Sequence, residues 1–251
     1  MGGALPGSPA LLLMLLDSRA PAGAHGHSGG MEAAVTAGFV TGLPDVAQFC
    51  RQRLRTTGQV AAAFAAAAAR LWLAGAEPGR WADLDAELSA RIPSPAARQA
   101  SRQLGSGLRR LVTAMAPEPE VADLAVAWTG TGRPAPHHPL VLGAAVAIAG
   151  GGPPLAAVAA ALGTCSAPAS AAVRLLGLDP YAVQAMLAEL APEISRAGDV
   201  YGAGDDGAGD DGRPGGLADD GGLASLPAWG APAMELLADV HARSEVRLFA
   251  S

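Results

Sequence analysis

Apolar residues recur along this chain at helical spacing, in blocks that Pro/Gly clusters interrupt every ten to twenty residues or so, and alternating β-branched runs are missing. The pattern predicts an all-α fold, a single helical-bundle-like domain of about eight to ten helices. A leucine-rich helix over Ala10–Leu16 opens it. Next comes a helix over Gly30–Val40 that Ser28 can cap, with Glu32 in the first turn opposing the macrodipole. Pro44-Asp45 opens a long helix running through Ala61 to Leu73, and its near-polyalanine tract Val60–Ala69 is chemically too poor to be anything but packing surface. Trp81, Leu84, Leu88 and Ile92 form a core stripe, and Pro93-Ser94-Pro95 separates it from a helix over Ala96–Met115.

From Pro134 to Val173 no residue carries a formal charge, which raises the question of a membrane span. The apolar run Leu140–Ala149 is broken by Gly150-Gly151-Gly152-Pro153-Pro154 before Leu155–Leu162 resumes. Each piece falls short of the roughly 20 residues a spanning helix needs. Two buried helices joined by a tight break are expected instead.

Between Asp199 and Gly222 the composition shifts to Gly, Asp and Ala. Residues 1–198 are therefore read as the body, 199–222 as a flexible, self-repelling acidic linker, and 223–251 as a C-terminal segment. The pairs Asp205-Asp206, Asp210-Asp211 and Asp219-Asp220 lack the alternating ligands and closing Glu of a calcium loop.

Composition narrows the function. The 251 residues include 33 glycines and 20 prolines but few aromatics, so Ala, Leu and Val must build the core. The net charge is −6 and all 17 basic residues are arginine. With Arg109-Arg110 as the single adjacent basic pair, a solvated helix face, no clustered surface invites nucleic acid. Cys50 and Cys165 lie in no CxxC or Cys/His cluster and read as reduced, buried, non-catalytic thiols. Walker A, Rossmann, nucleophile-elbow and HExxH motifs are all missing, so an enzyme is not expected. The stretch before Leu11 has no basic residue, which argues against a secretory leader and for a cytoplasmic protein.

The richest polar element is Gly23-Ala24-His25-Gly26-His27-Ser28-Gly29-Gly30. Its backbone amides beside a helix start could hold an anion, but it lacks a nucleotide-binding lysine. His25 and His27 could bind nickel or zinc if a third ligand came from elsewhere. The preferred reading is a polar hinge and helix cap made by His25, His27, Ser28, Gly30 and Glu32, with no resident metal or cofactor. His137-His138 before Pro139 reads as a turn leading into a helix.

Several motifs in one order resemble the family of urease accessory proteins called UreF. The leucine-rich run ends in Asp17-Ser18 and is followed by a Pro/Gly turn and His27-Ser28-Gly29-Gly30-Met31-Glu32, where the family has His/Tyr-Ser-x-Gly-Leu-Glu. Leu84-Asp85-Ala86-Glu87-Leu88 and Arg98-Gln99-Ala100-Ser101-Arg102-Gln103-Leu104-Gly105 are similar to its Leu-Asp-x-x-Leu and Arg-x-Ala-Ser-x-x-Gln-Gly, with Leu104 inserted. His137 to Gly143 resembles His-x-Pro-x-x-x-Gly, and Ser170-Ala171-Ala172-Val173-Arg174 to Gln184 another block. Arg247-Leu248-Phe249-Ala250-Ser251 looks like the family's carboxyl terminus; His241 matches its histidine, while Ala242 replaces the following glutamate and Glu245 a serine.

The resemblance implies an all-α homodimer that catalyses nothing. It implies a protein that bridges UreD (also called UreH) and the GTPase UreG while nickel is delivered to apo-urease, with no nucleic-acid or membrane partner. His241, Arg247, Leu248, Phe249 and Ser251 are the expected docking residues, Leu248 and Phe249 as anchors and Arg247 as partner of a carboxylate. On this reading the tail over Ala231–Ser251 orders on binding, and deleting it leaves the body folded.

Overall fold

A computed structural model describes residues 8–17, 27–115, 135–203, 220–242 and 248–249. Among these the chain is all-α, with eleven helices. They are α1 (Pro9–Leu16), α2 (Met31–Thr36), α3 (Leu43–Arg55), α4 (Thr57–Leu73), α5 (Pro78–Ala90) and α6 (Pro95–Met115), then α7 (His138–Ile148), α8 (Pro153–Leu176), α9 (Pro180–Gly202), α10 (Asp220–Ala224) and α11 (Pro232–Ala242).

The alanine tract explains the architecture. Ala62 to Ala69 are buried on every face of α4, because α7, α8 and α9 pack around it. Side chains this small bring backbones close, and the tightest approach needs none at all: a Cβ on Gly143 of α7 would overlap the Ala65 carbonyl. Met31, Phe64, Leu84, Leu88 and Leu140 supply the larger volumes of the core. A second cluster, on the far side of α4 and α7, takes in Leu15, Leu108, Val112 and Val146.

Several expectations change. The long helix from Pro44 to Leu73 is two, α3 and α4, broken at Thr56 (φ −119°, ψ −101°). Thr56 Oγ1 donates to the Gln52 carbonyl (2.8 Å) and Gln59 Nε2 to the Leu54 carbonyl (2.9 Å), so side chains satisfy backbone that the break releases. The helix after the hinge stops at Thr36, short of Val40, where Gly38 takes a positive φ.

Another concerns length. The apolar piece beginning near Leu155 does not stop at Leu162 but continues to Leu176, carrying Pro168 inside it. By length and composition α8 could therefore cross a membrane. Its place in the fold is the better guide, since most of it is buried against α3, α4 and α9 as the central core helix.

Helix α9 likewise runs through Asp199 to Gly202, into the stretch assigned to the linker. Tyr201 is buried and donates to Gln59 Oε1 (2.9 Å), and Arg70 caps the helix end at the Tyr201 and Ala203 carbonyls. Most of the acidic stretch, 204–219, lies outside the described residues. Beyond it the chain rejoins the body: Arg91, just past α5, donates to the carbonyls of Leu223, Leu226 and Pro227, and Asp239 of α11 accepts from Ser94 Oγ (2.6 Å) and the Ala96 amide at the start of α6.

Candidate functional site

Among the described residues, two groups of buried polar side chains in this apolar core join elements far apart in the chain. The first lies where α5, α6 and the start of α7 meet. Asp85 and Arg102 form a two-point ion pair, Oδ2 to Nη2 at 2.9 Å and Oδ1 to Nη1 at 3.3 Å, and Asp85 Oδ1 also accepts the His137 backbone amide (3.1 Å). His137 is the N-cap of α7 and fully buried. Its Nδ1 lies 3.0 Å from Ser101 Oγ and its Nε2 3.0 Å from Ser89 Oγ.

One proton assignment leaves no hydroxyl without an acceptor. Ser89 gives its proton to the Asp85 carbonyl (2.9 Å) and receives one from Arg102 (2.8 Å), so Nε2–H of His137 donates to Ser89. Ser101 receives the His138 amide (3.3 Å) and donates to Nδ1. The ring is then neutral, and burial first, with Arg102 second, holds its pKa down at about 4. Gly105 completes the arrangement, since a Cβ there would overlap the Pro136 carbonyl and push the His137 segment off α6.

Aspartate, histidine and serine invite a hydrolase reading, which the geometry refuses. The carboxylate serves the histidine backbone and an arginine rather than the ring, and both ring nitrogens end on serines, leaving neither to act on a substrate. The cluster staples three elements together.

The second place joins the hinge to the carboxyl terminus. Gly30 adopts a positive φ (88°) and turns the chain into α2, while Ser28 Oγ accepts the Glu32 amide (3.3 Å). Glu32 is buried in the first turn of α2, and its carboxylate accepts two amides from the far end of the chain, Leu248 (2.7 Å to Oε1) and Phe249 (3.0 Å to Oε2). The Phe249 ring enters the core with the Arg174 guanidinium 4.3 Å from its centroid.

The carboxyl-terminal segment packs on the body in this structure. Phe249 is 5% exposed and Leu226 7%, while Met234 and Leu237 pack on the same core. The segment is thus part of the body, and deleting Ala231–Ser251 would strip apolar cover rather than trim a free arm. Leu248 is 78% exposed and points away. His241 lies on α11, while Arg247 and Ser251, like His25, lie outside the described residues.

His27 and His138 are electrostatic neighbours, each held below the ordinary histidine range chiefly by burial, His138 at about 4. No group of three metal-binding side chains occurs among the described residues. The Asp85–Arg102–His137 staple and the Arg174 contact with Phe249 were not recognised from sequence as working parts, although the motifs that carry them were.

Fold and site together define a class: a helical protein whose buried polar groups fasten its own elements and frame a surface. Comparison with known proteins gives the particular family. The family model described as UreF matches residues 40–191. The urease accessory protein UreF of Mycobacterium sp. (strain JLS) is 40% identical over 242 residues, covering 96% of this chain and 97% of that protein. That of Mycobacterium marinum (strain ATCC BAA-535 / M) is 40% identical over 247 residues, covering 96% and 98%, and that of Mycobacterium tuberculosis (strain ATCC 25618 / H37Rv) 42% over 192 residues, covering 75% and 84%. The chain belongs to the UreF family; it is a urease accessory protein and not an enzyme.

Proposed function

We propose that this chain works in the cytoplasm as a homodimeric scaffold that bridges UreD/UreH and the GTPase UreG while nickel is inserted into apo-urease. The supporting observation is the Glu32 clamp, which seats Phe249 and leaves Leu248 standing out. The neighbouring C-terminal segment also exposes apolar side chains, Leu236 and Val240 one turn apart on α11 and Trp229 just before it.

Leu248 is the contact residue in this reading, and Phe249 positions it. His241, Arg247 and Ser251 remain the further docking residues that the likeness to the family's C-terminal pattern implies. Light-scattering chromatography with UreD, then with UreG, GTP and nickel, tests the proposal. The wild-type chain should enter a ternary complex, and the charge substitutions Leu236→Glu and Leu248→Glu should abolish it while circular dichroism stays unchanged. A complex that survives both substitutions would sink the reading.

A further inference from the structure

We infer that Cys50 and Cys165 form a redox-active dithiol, a site at which a peroxide converts the pair to an intramolecular disulfide fastening α3 to α8. The residues are 115 positions apart in sequence and face each other where the two helices cross. Each is fully buried and free, and each thiol donates to the other's backbone carbonyl at 3.6 Å. Two thiols that each reach the opposite residue's main chain lie on adjoining backbones, the arrangement a disulfide between two helices requires.

The surroundings make the two thiols unequal. Arg53 lies one turn beyond Cys50, and its Nε donates to the carbonyl of Thr164, the residue before Cys165 (3.2 Å), which holds the guanidinium beside both sulfurs. The contact with the Cys50 side chain, helped by that positive charge, pulls the Cys165 thiol below its ordinary value, whereas the contact with Cys165 and burial push the Cys50 thiol up. Cys165 is the attacking sulfur and Cys50 the resolving one. The Arg53 guanidinium packs beneath Gly29 of the hinge.

The chemistry balances. Cys165 thiolate attacks one oxygen of the peroxide, the O–O bond breaks, and the departing oxygen takes up the proton Cys165 gave up, leaving a sulfenic acid. The Cys50 sulfur then attacks the Cys165 sulfur, the S–O bond breaks, and water leaves with the Cys50 proton. The two sulfurs lose two electrons and the peroxide gains them.

The test treats the full-length protein with hydrogen peroxide, quenches it, and alkylates under denaturing conditions before intact-mass and peptide analysis. A monomer that has lost two hydrogens, takes up no alkylating agent, yields a Cys50–Cys165 peptide and melts on the order of 10 °C higher is expected, because the bridge closes a long loop. The Cys50→Ala variant should instead carry added oxygen on Cys165 and no bridge. Two alkylated thiols after peroxide, an intermolecular dimer, or oxidation of Cys165 in the wild-type chain without a bridge would each overturn the inference.

Discussion

The staple at His137 and the clamp at Glu32 are both buried polar sites in an alanine-rich core, yet they are built to different standards. At the staple, carboxylate, guanidinium, imidazole and two hydroxyls saturate one another across three elements. At the clamp a single carboxylate holds two amides of a segment arriving from the far end of the chain, and one aromatic ring seats it. A saturated network that must be broken everywhere at once suits a permanent fastening. A two-bond clamp suits one that opens locally without unfolding the body, because only two amides and one ring have to leave their partners.

The sharpest way to break this comparison is to remove one charge from each site. Asp85→Ala leaves Arg102 uncompensated and should cost about 3–5 kcal/mol in urea unfolding. If it costs no more than Glu32→Ala, the two sites are alike. Acid should weaken the staple next. The His137 pKa is about 4 when folded and near 6.5 when unfolded, so the neutral ring contributes stability that is complete above the unfolded value and is lost as pH falls from there towards 4. The loss is roughly 3 kcal/mol, read as a falling urea midpoint. His138 is shifted in the same direction and adds to it. A midpoint that stays flat over that interval refutes the buried neutral ring.

Smaller effects belong to the clamp. Glu32→Gln replaces charge-assisted bonds with neutral ones, so the Leu248 and Phe249 amides should exchange with solvent about ten times faster, while the global melt barely moves. A global melt that falls as far as in Asp85→Ala would show the tail to be as permanent as the staple. Arg174→Ala should loosen the Phe249 ring by about 0.5–1 kcal/mol, visible as a few-fold faster exchange of the Phe249 amide alone.

Much of this was legible in the residues. Helical spacing, the absence of strand-like alternation and the proline punctuation were enough for an all-α fold, and in the expected break Gly150 to Gly152 separate α7 from α8 while Pro153-Pro154 open α8. Motif order was enough for the family. The break at Thr56 was not legible, because Thr56, Thr57 and Gly58 are compatible with a continuing helix until side chains offer the backbone other partners. The membrane argument rested on where an apolar run stops, whereas Pro168 and Ala169 extend α8 because neighbouring helices bury them.

That this protein is helical, built on small side chains, poor in catalytic groups and a member of its family can be read from the order of its residues, because those properties are written in local spacing and residue type. What the motif residues touch follows from the packing of the helices. Asp85, Ser101, Arg102 and His137 come from three separate motifs and become one network, Glu32 and Phe249 are 217 positions apart and become one clamp, and Cys50 meets Cys165. Such partnerships depend on which helices cross, and crossing is set by how closely alanine and glycine let backbones approach, a property of pairs of elements that no single stretch of chain records.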